Sequence, residues 1–60
     1  MRILFKYRRG EELNKEMGAV PRLGDLVVID GMAFEVRSVT WLPEFGPDEP
    51  EVRVYLEGPK

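Results

Sequence analysis

The stretch Leu26-Val27-Val28-Ile29-Asp30-Gly31-Met32-Ala33-Phe34-Glu35-Val36 decides the fold. Two apolar runs meet at Asp-Gly, the pair whose backbone accepts the positive φ values of a two-residue type I′ turn, so the stretch reads as a β-hairpin. With Asp30 and Gly31 as the turn, Ile29 stands opposite Met32, Val27 opposite Phe34 and Asp25 opposite Val36. One face then carries Val27, Ile29, Met32, Phe34 and Val36. The other carries the mixed set Leu26, Val28, Ala33, Glu35 and Arg37. A slip of one residue would turn the apolar set outward, so the register is well specified.

Working outward, the alternation changes phase after Val36. Val39 and Trp41 are apolar where the hairpin register would bring Ser38, Thr40 and Leu42 inward, which predicts a bulge near Arg37-Ser38. Trp41 is expected in the core, because so small a domain needs its area. Upstream, Pro21 biases Val20 to an extended conformation and Gly24-Asp25 forms a turn pair. Asp25 reads as a carboxylate capping that turn rather than as a catalytic acid, since no partner base is recognisable.

Residues 2–8 alternate Ile3, Phe5 and Tyr7 against Arg2, Leu4, Lys6 and Arg8, the period-2 pattern of a strand with one buried face. Arg9 extends a basic stripe of Arg2, Lys6, Arg8 and Arg9. The stripe reads as an anion contact, with Tyr7 as a stacking platform, or as protection of an outer strand against edge pairing. Residues 10–20 read as a short helix placing Leu13 and Met17 on the sheet, with a Glu11–Lys15 pair and Gly18 as its cap. An irregular excursion between strands is the alternative.

From Pro43 to Pro50 three prolines and a glycine preclude a regular element, so a long loop is expected. Its carboxylates, Glu44, Asp48 and Glu49, continue to Glu51 without a cation. Their spacing matches no calcium loop, and no metal or cofactor is expected. Phe45 in this polar loop reads either as tucked back onto the domain or as an anchor for a protein partner. The last strand, 52–56, sets Val52, Val54 and Leu56 inward and Arg53 and Tyr55 outward, where Tyr55 either covers a neighbouring strand or joins Arg53 in a candidate contact surface. The chain stops after its last apolar pair, as a complete domain would.

Composition narrows the chemistry. Sixty residues make one domain, spanning 1–60, and a chain of this size buries only about 60% of its unfolded surface. There is no cysteine and no histidine, and the net charge is -2. Disulfides and thiolate zinc sites are thereby excluded, and the commonest general base is missing. Ser38 and Thr40 have no histidine to activate them, so the chain is not expected to be an enzyme. No apolar run approaches the ~20 residues of a membrane span, and a cytoplasmic location is expected.

The expected fold is all-β with at most one short helix, either a small SH3-like barrel or a strongly bent antiparallel sheet of four to five strands. Gly24-Asp25-Leu26-Val27-Val28-Ile29-Asp30-Gly31 resembles the opening of SH3-like small β-barrels, including the KOW-type domains of transcription and ribosomal proteins. KOW domains carry glycines after the first turn where this chain has Phe34 and Val36. The whole also looks like small β proteins encoded by bacteriophages and prophages, a likeness that implies binding to a host protein. Two functions follow as expectations: a non-catalytic protein-interaction module using Phe45, Tyr55, Arg53, Glu44, Asp48 and Glu49, or a nucleic-acid binder using the basic first strand. Self-association through an exposed edge strand is a third expectation.

Overall fold

A computed structural model describes residues 1–43 and 50–59. The described residues form five strands and no helix: β1 (Arg2–Tyr7), β2 (Glu11–Glu16), β3 (Leu26–Ile29), β4 (Met32–Trp41) and β5 (Val52–Glu57). They make one mixed sheet in the order β2-β1-β5-β4-β3, curled into a half-barrel. All neighbours run antiparallel except β1 and β5, which pair in parallel from Ile3↔Val52 to Lys6↔Tyr55.

The Asp-Gly hairpin has the register the sequence implies. Ile29 pairs with Met32 and Val27 with Phe34, and Val36 N–H donates to the Asp25 carbonyl at 2.9 Å. Asp30 and Gly31 have φ of 52° and 79°, the left-handed values a type I′ turn requires. The phase change is also present: the β4–β5 ladder steps from Val36↔Leu56 to Ser38↔Tyr55, leaving Arg37 as the extra residue of a bulge. Val39 and Trp41 thereby face the same side as Val36.

That side is the concave one and holds the core. Ile3, Phe5, Val36, Val52 and Val54 cluster there fully buried, with Val20, Val27, Val39 and Leu56 packed against them. Phe34 is also fully buried, with its ring 5.3 Å from that of Tyr7 at a tilt of 57°. Burial of each such side chain stabilises the fold by about 1.5–3 kcal/mol, so these few residues carry much of a small domain's stability.

Four expectations are corrected. Residues 11–16 are neither helix nor irregular excursion but β2, because β1 supplies a ladder from Arg2↔Glu16 to Tyr7↔Glu11. That pairing outweighs the helix propensity of Glu, Leu and Lys, which is weak in so short a segment. β1 is not an outer strand: it lies between β2 and β5, so its cations do not guard an edge. Trp41 is not core but 59% exposed, since it is the last residue of β4 and pairs with Val52, the first residue of β5, at the end of the sheet. Leu13 and Met17 do not dock into the core; they stay more than a third exposed at the open side of the half-barrel.

Candidate functional site

The turn into β3 sets the position of one edge. Asp25 N–H donates to the Arg22 carbonyl at 3.0 Å, and Gly24 takes the positive φ of 86° at the third position of the turn. The Asp25 carboxylate accepts a hydrogen bond from the Arg22 N–H at 2.8 Å, the capping role its sequence context implies. The chain then enters β3, which among the described residues bonds only to β4 and leaves its other side open.

The other end of the sheet, β2, is likewise unpaired on one side. Between the two edges lies an open groove of about 710 Å³. Leu13, Lys15 and Met17 line one wall, Val20 and Pro21 its end, and residues 25–30 the other wall, over a floor that includes Phe5. Apolar side chains dominate this lining, with Lys15, Asp25 and Asp30 as its charges. Of this wall, Leu26 and Val28 are about two-thirds exposed, as is Leu23 beside it.

The two edges differ in charge. Four of the six β2 residues, Glu11, Glu12, Lys15 and Glu16, are charged, whereas Leu26-Val27-Val28-Ile29 carries no charge at all. Natural edge strands are commonly protected by charged side chains, and β3 lacks that protection.

The basic stripe does not form one free surface. Lys6 Nζ is 3.2 Å from Glu12 Oε2 and 5.9 Å from the Tyr55 ring centroid. Arg8 lies 3.5 Å from Glu11, donates to Met32 Sδ at 2.9 Å and covers the Phe34 ring at 5.8 Å. Arg2 stands across from Glu16 in the ladder, and Arg9 sits exposed in the β1–β2 turn. Tyr7 projects to the opposite face from Lys6, against Phe34, and is not offered for stacking. The Met1 ammonium donates to Glu16, which raises the amine above its ordinary 8.0 and lowers the Glu16 carboxyl below 4.5.

Of the residues expected to bind a partner, Tyr55 and Arg53 lie on the convex face of β5. Tyr55 is 38% exposed and Arg53 half-buried between Leu4 and Thr40, its Nε buried without a hydrogen-bond partner. Glu44, Phe45, Asp48 and Glu49 lie outside the described residues. Sequence reasoning missed the groove, whose walls are separated by the β2–β3 connection; the uncharged run of β3 was the signal for its open edge.

Among the described residues no group of three or more Asp and Glu could hold a metal ion, and no helix is long and apolar enough to cross a membrane. Compared with protein-family models, curated proteins and solved structures, the chain matches none of them.

Proposed function

We propose that the chain is a non-catalytic protein-interaction module whose contact surface is the open side of the half-barrel. The observation that carries this reading is the groove between β2 and β3, apolar in its lining and bordered by an uncharged strand edge. Apolar side chains of a partner can enter such a groove while its backbone extends along β3, the pattern of strand-addition recognition. The likeness to phage-encoded small β proteins makes a host protein the favoured partner, and the absence of cysteine suits a reducing cytoplasm.

Nucleic-acid binding is the less favoured reading, because Lys6 and Arg8 face carboxylates of β2 and Tyr7 packs on Phe34. Capture from a native lysate on the immobilised chain, followed by affinity measurement with each purified partner, tests the proposal. A partner whose affinity falls at least tenfold with Leu13→Lys or Met17→Lys supports it. Binding that is unaffected by both, or an oligonucleotide as the sole captured ligand, overturns it.

A further inference from the structure

We infer that the open edge of β3 pairs with the β3 of a second copy of this chain, antiparallel about a two-fold axis at Val27. This rests on the reading of the open side as a protein-contact surface and names one occupant for its edge. In the β3–β4 hairpin, Ile29↔Met32 and Val27↔Phe34 are the pairs beside and beyond a two-residue turn. They therefore exchange backbone hydrogen bonds with each other, and the N–H and C=O groups of Leu26 and Val28 point the opposite way, off the edge.

Those two residues complement each other. With Val27 opposite Val27 of the second copy, Leu26 stands opposite the second copy's Val28, and Val28 opposite its Leu26. Each of these two pairs exchanges two backbone hydrogen bonds, so all four open backbone groups are satisfied. The same register sets the most exposed side chains of the strand, Leu26 at 64% and Val28 at 68%, against one another on the convex face. Charge agrees: Asp25 meets the second copy's Ile29, and no carboxylate of the strand ends faces another. Moving the register two residues one way would bring Leu26 opposite Asp30, moving it two the other way would set Val28 opposite Gly24 and lose the Leu26–Val28 pairs, and moving it by one would exchange the faces. The other edge offers less apolar contact: about a two-fold at Leu13, β2 would set Glu12 against Asn14 where β3 sets Leu26 against Val28.

Area sets the strength. A standard interface takes about 800 Å² per partner, roughly a fifth of the 4282 Å² surface of this chain. Four strand residues with Leu23 alongside cover less than that. The dimer is therefore weak and concentration-dependent, and a partner whose backbone extends along β3 would compete with it.

Sedimentation equilibrium from micromolar to millimolar chain tests the inference. The mass should rise from 6.9 kDa towards twice that value. Val28→Lys, at an exposed position, should weaken association at least tenfold while leaving the circular dichroism and melting profile intact. A synthetic chain N-methylated at Leu26 should do the same by removing one donor, and Leu13→Lys should leave association unchanged. A single 6.9-kDa species through millimolar concentration overturns the inference. So does a dimer insensitive to both β3 variants. If that monomer still binds a captured partner through the groove, the module reading stands and only self-pairing falls; if the dimer forms and no other protein binds, self-pairing alone stands.

Discussion

Lys6 Nζ lies 3.2 Å from Glu12 Oε2, directly across the β1–β2 ladder, so the cation that heads the basic stripe is bound to its neighbouring strand. Lys6→Glu places like charges opposite each other and should destabilise the fold by on the order of 1 kcal/mol. The exchanged pair, Lys6→Glu with Glu12→Lys, should recover part of that loss. Urea unfolding of both variants measures it, and equal losses in the single and double variants would show that the pair is not coupled.

Gly31 takes a φ of 79° and has open space where a side chain would start. The cost of Gly31→Ala is thus one of backbone conformation alone, about 1–2 kcal/mol. A smaller shift is expected for Asp30→Gly, which tolerates the 52° already present. Thermal unfolding of the two variants side by side checks the ordering.

Asp25→Ala removes the acceptor for the Arg22 N–H and should cost about 1 kcal/mol. Because the Asp25 carboxylate caps a turn, Asp25→Asn, which keeps an acceptor oxygen, should retain most of the stability. Loss of binding by a stably folded Asp25→Asn would assign the carboxylate a direct contact.

The hairpin, its register and the bulge were legible because each is written locally: Asp30-Gly31 names the turn, and the phase change from Val36 to Val39 names the bulge. β2 was not, because Glu11, Leu13, Lys15 and Met17 satisfy a helical spacing as well as a strand. Only their facing residues on β1 decide between the two. The complementary charges of Lys6 and Arg8 against Glu11 and Glu12, separated by Gly10, were the available hint. Trp41 was misplaced because alternation assigns a face but not a distance from the end of a sheet. The groove depends on how far the sheet curls, which is a property of all five strands together.

The Met1–Glu16 contact gives a pH dependence with two limbs. Glu16 is lowered from 4.5, so its contribution is present above that value and is lost as pH falls through its folded pKa. The amine is raised from 8.0, so its contribution is present below that value and is lost as pH rises through its folded pKa. The contact therefore supports the fold most between about pH 5 and 8. Acetylating the N-terminus should remove that advantage at neutral pH and leave the difference from the unmodified chain smallest at the extremes, as read from melting temperatures across pH.

The central claim is that β3 presents an open, uncharged edge through which the chain makes its contacts. Residue-resolved amide hydrogen exchange, followed over a dilution series and then with a bound partner, tests it most directly. In dilute solution Leu26 and Val28 should exchange fast while Val27 and Ile29, bonded to β4, exchange slowly; Leu26 and Val28 should slow as the edge becomes occupied. Leu26 and Val28 amides as protected as that of Val27 in the most dilute sample would contradict the account.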